Sequence, residues 1–150
     1  MNDVEILKEL LRIHGKCKIK TKGISMKPML ITGDFVVLSA PDREIKKGDV
    51  VLYDGKDETY TLHRVIGYYG DGYVIRGDNN FFKEYIRRER ILAYLVSYEH
   101  KGKVRSVTSF GYNFYFRFWN FIYPIRTLLN KLRRLLSKIK RKFKKCSSRK

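Results

Sequence analysis

The chain of 150 residues holds two cysteines, Cys17 and Cys146, far apart, with no CxxC and no Cys/His cluster. That scarcity excludes a disulfide scaffold and a structural zinc site, and it fits a reducing compartment. No uniformly apolar run of about 18 or more residues occurs, the length an ordinary membrane span requires. Val107–Leu129 has the length to span, but Arg117 near its centre, with Asn113 and Asn120, opposes a spanning helix. The opening MNDVEILKELLRIHG carries Asp3, Glu5 and Glu9 where an export signal has a basic region and an apolar core. Internal repeats are absent, and no low-complexity stretch precedes the C-terminal segment.

Acid is missing from one third of the chain. All 15 Asp and Glu lie at or before Glu99, so residues 1–99 net +2 while residues 100–150 net +16 of the total +18. A nearly neutral domain therefore carries a strongly cationic tail. The hydrophobic content of 43% excludes a wholly disordered chain, and the length suits one domain with a real core.

Three segments follow from periodicity. In residues 1–15, Val4, Leu7, Leu10 and Leu11 recur at helical spacing, with Asn2 or Asp3 as cap and Gly15 as stop. Residues 16–107 read as short β segments: Cys17–Thr21, Phe35–Ser39, Val50–Tyr53, Tyr60–Ile66, Tyr73–Arg76, Ile91–Tyr98 and a weaker one near Val104. Gly- and Asp-rich turns separate them, and Gly70-Asp71-Gly72 has the composition of a hairpin. Phe81–Arg90 reads as a helical turn or a loop. Residues 108–150 open with the aromatic run Phe110–Tyr123. After Pro124, Ile125, Leu128, Leu129, Leu132, Leu135, Leu136, Ile139 and Phe143 take one helical face, with Lys and Arg on the others. The expected fold is mostly β, a coiled antiparallel sheet with a short N-terminal helix and a C-terminal amphipathic helix.

Nucleophilic chemistry needs a hydroxyl or thiol beside a base. Ser25 lies between Gly23, which permits close backbone approach, and Pro28, which fixes φ. Of three histidines, His14 and His100 read as solvated surface residues, whereas His63 lies inside the strand Tyr60–Ile66. Neither Ser25 nor His63 decides the matter alone, since turn serines and strand histidines are common.

Five colinear blocks carry more information. These are Gly23-Ile24-Ser25-Met26-Lys27-Pro28-Met29-Leu30, Gly33-Asp34, Ile45-Lys46-Lys47-Gly48-Asp49-Val50-Val51, His63-Arg64-Val65-Ile66-Gly67 and Gly77-Asp78-Asn79-Asn80. Together they resemble the type I signal peptidase superfamily, over about residues 16–98. A histidine at position 63, where bacterial members have lysine, is similar to the endoplasmic-reticulum and archaeal branch. The resemblance implies a serine endopeptidase that needs no cofactor and removes signal or leader peptides after small residues. Ser25 would be the nucleophile, His63 the base and Asp78 the carboxylate orienting the imidazole. Gly23, Ser25, Met26 and Pro28 would form the nucleophile turn, with the Ser25 N–H as one oxyanion donor. Gly23 stands where many relatives carry a hydroxyl, which leaves the second donor open. Asp78 also suits a turn cap, and Asp34 and Asp49 read as turn formers.

An extended peptide would bind along strand edges, between Ile19, Thr21 and Gly23 on one side and Tyr60 and Leu62 on the other. Residues 108–145 fit attraction to an anionic membrane surface, with the domain on its cytoplasmic face. The alternative is a catalytically idle peptide-binding protein, or an adaptor whose cationic tail binds membrane or nucleic acid. Nucleic acid is disfavoured, because residues 1–15 are too short for the DNA-binding domain of the related self-cleaving repressors.

Overall fold

The computed structural model describes residues 3–55 and 59–147. Two compact units divide the chain, residues 1–114 and 115–150. In the first, helix α1 (Asp3–His14) precedes β1 (Lys16–Lys20), β2 (Phe35–Ser39), β3 (Val50–Asp54), β4 (Tyr60–Tyr69) and β5 (Gly72–Arg76). There follow β6 (Glu84–Arg87), a 3-10 turn (Arg88–Arg90), β7 (Ile91–His100) and β8 (Lys103–Ser106), and the boundary between the units falls within helix α2 (Phe110–Phe121). Helix α3 (Tyr123–Ser147) belongs to the second unit.

The fold is mostly β. One open antiparallel sheet has the order β1-β2-β7-β3-β4-β5-β6, with β8 paired to β7. Val36, Leu38, Val50, Val51, Leu52, Val65, Ile75, Ala93 and Leu95 supply its inaccessible interior. These are the β-branched and aliphatic residues that pack well on a pleated surface. A bulge at Ile66 separates the pairs Val65↔Ile75 and Gly67↔Val74. Helix α1 ends where Gly15 takes φ +68° and its N–H returns to the Leu11 carbonyl at 2.8 Å.

Several sequence expectations need correction. Leu10 is exposed, so α1 buries only Val4, Leu7 and Leu11 of the four apolar positions. The stretch Phe81–Arg90 contains the strand β6 as well as the 3-10 turn, because Ile86 supplies a buried residue and β5 offers a free edge. The aromatic run is helical over Phe110–Phe121. His100 is not solvated: its Nδ1 lies 2.7 Å from Asp34 Oδ2, with both side chains largely covered. Asp34 does form its turn, its Oδ2 accepting the Ile31 N–H at 2.9 Å. Asp49 likewise accepts the Lys46 N–H at 2.8 Å and pairs with Arg43. The cap Asn2, the Asp3 side chain and the side chains of residues 140–147, Phe143 and Cys146 among them, lie outside the described residues.

Among the described residues, no helix is long and apolar enough to cross a membrane.

Candidate active site

Residues 21–34 form the loop that carries Ser25. Thr21 Oγ1 donates to the Ile31 carbonyl at 2.6 Å, and the Thr21 N–H donates to the Asp34 carbonyl at 2.8 Å, which closes the base of the loop. Within it, Gly23 and Thr32 bond reciprocally: the Gly23 N–H reaches Thr32 Oγ1 at 3.0 Å, and that hydroxyl donates to the Gly23 carbonyl at 2.9 Å. Gly23 has φ +94°, a backbone region in which a side chain is strained. Met26 is buried, Ser25 half-buried and Pro28 exposed; the Lys27–Pro28 peptide is cis.

The loop Gly77–Asn80, which follows β5, grips this segment. The Asn79 N–H donates to the Ser25 carbonyl at 2.7 Å, and Asn79 Nδ2 donates to the Ile24 carbonyl at 3.3 Å. Gly77 sits at the closest approach. A Cβ built there would meet the Ser25 carbonyl oxygen at 2.7 Å, Asn80 Nδ2 at 2.8 Å and His63 Nε2 at 3.0 Å. The backbone of Ser25 and the Nε2 face of His63 therefore crowd one point, and only the missing side chain of Gly77 leaves room there.

His63 comes from β4, opposite Val51 on β3. Its ring is buried, and the far nitrogen, Nδ1, faces a carboxylate: Glu84 Oε1 is 3.2 Å away. The Tyr53 hydroxyl lies 3.0 Å from the same nitrogen and donates to Glu84 Oε2 at 3.2 Å. A carboxylate at Nδ1 favours the tautomer with its proton there, leaving the Nε2 lone pair on the side of Gly77 and Asn80. Asn80 Nδ2 is 3.5 Å from Nε2. Burial lowers the His63 pKa, and the charge of Glu84, then that of Asp78, oppose the drop. At neutral pH the imidazole is therefore an unprotonated base with two carboxylates ready to stabilise its conjugate acid. The Tyr53 hydroxyl is held protonated, far above the ordinary phenol range, first by burial and then by the charge of Glu84.

Asp78 is buried and faces Arg64. The guanidinium donates through Nε to Oδ1 and through Nη2 to Oδ2, both at 2.8 Å. Arg64 Nη1 also reaches the Gly48 carbonyl and the Tyr112 hydroxyl, each at 2.9 Å. Tyr112, from α2, in turn donates to the same Gly48 carbonyl at 2.9 Å. This bidentate pair fixes the residue between Gly77 and Asn79. Among the described residues, no buried side-chain nitrogen or oxygen lacks a partner.

Ile19, Thr21, Gly23, Tyr60 and Leu62 all line one cleft of about 410 Å³, together with Ser25 and Met26. Leu30, Val36 and Leu52 make much of its wall apolar. Two residues with no signal of their own in the sequence complete the surroundings of His63: Tyr53 and Glu84. Glu84 lies outside all five sequence blocks and becomes adjacent only when β6 pairs with β5, where it stands opposite Ile75. Among the described residues no His/Cys/Asp/Glu group has the arrangement of a metal site.

No protein-family model matches the chain, and no curated protein is significantly similar to it.

Proposed function

We propose that the chain is a serine endopeptidase of the signal-peptidase type, cutting an extended signal or leader peptide after small residues. The observation that carries this reading is the convergence at Gly77, where the Ser25 carbonyl oxygen and His63 Nε2 lie within 2.7 and 3.0 Å of one point. A turn serine and a strand histidine with only structural roles would not need a carboxylate–hydroxyl pair on one ring nitrogen and, on the other, the loop that bonds the Ser25 carbonyl.

In the proposed reaction the peptide lies in the cleft between Ile19–Gly23 and Tyr60–Leu62, its backbone bonding to the strand edges. His63 Nε2 takes the Ser25 hydroxyl proton as Oγ attacks the scissile carbonyl. The imidazolium so formed is stabilised by Glu84 at Nδ1 and by the nearby charge of Asp78. The Ser25 N–H donates to the developing oxyanion. His63 then protonates the leaving amine, and water, deprotonated by the same nitrogen, hydrolyses the ester to free Ser25. Asp78 acts through its bond to Arg64 as the residue that holds the Gly77–Asn80 loop on Ser25, with Glu84 as the orienting carboxylate. No step requires a cofactor.

The test is cleavage of a membrane-presented peptide library by wild type, Ser25→Ala and His63→Ala. Loss of cleavage in both variants with unchanged circular dichroism supports the peptidase. Equal cleavage by all three, or none by wild type, leaves a peptide-binding protein instead.

A further inference from the structure

The second unit carries a surface that the proposed peptidase chemistry does not use. The helical hydrogen bonding of α2 runs on into α3 through the single intervening residue, since the Ile122 N–H returns to Phe118 and the Arg126 N–H to Ile122, both at 3.0 Å. At 100° per residue, Phe121, Ile125, Leu128, Leu132, Leu136 and Ile139 then fall within about 80° of one another. All six are between 42% and 76% exposed. Such a wide, continuous apolar face in water marks an interaction surface.

Charge identifies its partner. Arg126, Lys131, Arg133, Arg134 and Lys138 occupy the remaining directions of α3, and no acidic residue occurs anywhere from 100 to 150. A second copy brought onto this face would align cations with cations and offer no acid in these segments to pair them. A nucleic acid would neutralise the cations but leave the leucines in water. An anionic bilayer satisfies both at once, taking the apolar face among its acyl chains and the cations among its headgroups. The helix lies in the interface plane, because spanning would carry the five cations through hydrocarbon. Trp119 stacks on Tyr115, with Arg126 3.9 Å above its ring, so the aromatic and cationic groups of the polar side are packed together. We propose that residues 118–139 form an interfacial helix that docks this protein on an anionic lipid surface. The proposal stands apart from the peptidase reading.

The experiment is sedimentation of the full chain with phosphatidylcholine vesicles containing about one third phosphatidylglycerol, against phosphatidylcholine alone. The proposal expects tight binding to the first only, weakened by raising salt from about 0.1 M to about 0.5 M. Leu132→Asp/Leu136→Asp should lower partitioning about a hundredfold, roughly tenfold for each leucine withdrawn from the acyl region, while Leu132→Met/Leu136→Met retains it. In Trp119→Phe/Leu132→Trp, the new indole should shift to the blue and be quenched by brominated acyl chains. Absence of vesicle binding would overturn the proposal, as would an Asp variant that binds as well as wild type. So would retention of a DNA duplex against excess vesicles, or a self-associated state that the Asp variant dissolves without loss of vesicle binding.

Discussion

Gly77→Ala isolates the contact on which the candidate site depends. Gly77 does not occupy the left-handed region, so alanine fits its backbone and only the added methyl group matters. That group would lie 2.7 Å from the Ser25 carbonyl oxygen and 3.0 Å from His63 Nε2. An ordinary contact is about 3.4 Å, so the Ser25 backbone must retreat by about 0.7 Å or the Gly77 loop must back away. Either movement strains the 2.7 Å bond from the Asn79 N–H to Ser25. Displacements of this size at a reacting group lower rates about a hundredfold. Overpacking in a close-packed site destabilises by about 1–3 kcal/mol. The assay is the rate at which a fluorophosphonate acylates Ser25, read by mass spectrometry beside urea unfolding of the same sample. Gly67→Ala serves as control, since a Cβ on that β4 glycine meets nothing within 4 Å. Acylation of Gly77→Ala within twofold of wild type, with unchanged unfolding, would refute the packing argument.

Other expectations follow from the same geometry. Asp78→Ala leaves the buried Arg64 guanidinium without its bidentate partner, and urea denaturation should show a loss of about 3–5 kcal/mol. The lowered pKa of His63 sets the acid limb of acylation below pH 6.5, because the base must be unprotonated. Stability carries the same sign: His63 binds its proton more weakly folded than unfolded. Its contribution is thus complete above about pH 6.5 and is lost as pH falls through the lowered folded value, which pH-dependent unfolding would register. Glu84→Gln removes a charge that raises the His63 pKa, so the acid limb should move to still lower pH while the plateau rate falls about 10–100-fold. Tyr112→Phe deletes the hydroxyl shared by Arg64 and the Gly48 carbonyl and should cost about 1–3 kcal/mol in urea unfolding.

Much of the fold was legible because it rests on local signals. Alternation and turn glycines marked seven of the strands, and helical spacing marked α1 and α3. Strand β6 was not, since Glu84–Arg87 has a single buried residue, Ile86, and becomes a strand through its partner β5. Nor was α2, whose aromatic residues favour strands as readily as helices. Ser25 and His63 stood out through their blocks, and Ile19, Thr21, Tyr60 and Leu62 through the strands that flank them. The surroundings of His63 did not, because they depend on register. Alternation on β4 implies that His63 and Arg64 point to opposite faces and that one is exposed, yet both are buried. Tyr53 and Glu84 enclose the first, whereas Asp78, Gly48 and Tyr112 satisfy the second. Tyr112 reaches Arg64 from 48 residues away, a contact that no local pattern records.

The central claim is that His63 activates Ser25. The most direct measurement is acylation of the intact protein by a fluorophosphonate, with the adduct mapped by peptide mass spectrometry in wild type and His63→Ala. The account expects one adduct, on Ser25, formed at a rate that falls at least about a hundredfold in His63→Ala while circular dichroism is unchanged. An adduct elsewhere, or a Ser25 adduct formed equally fast without the imidazole, would contradict it.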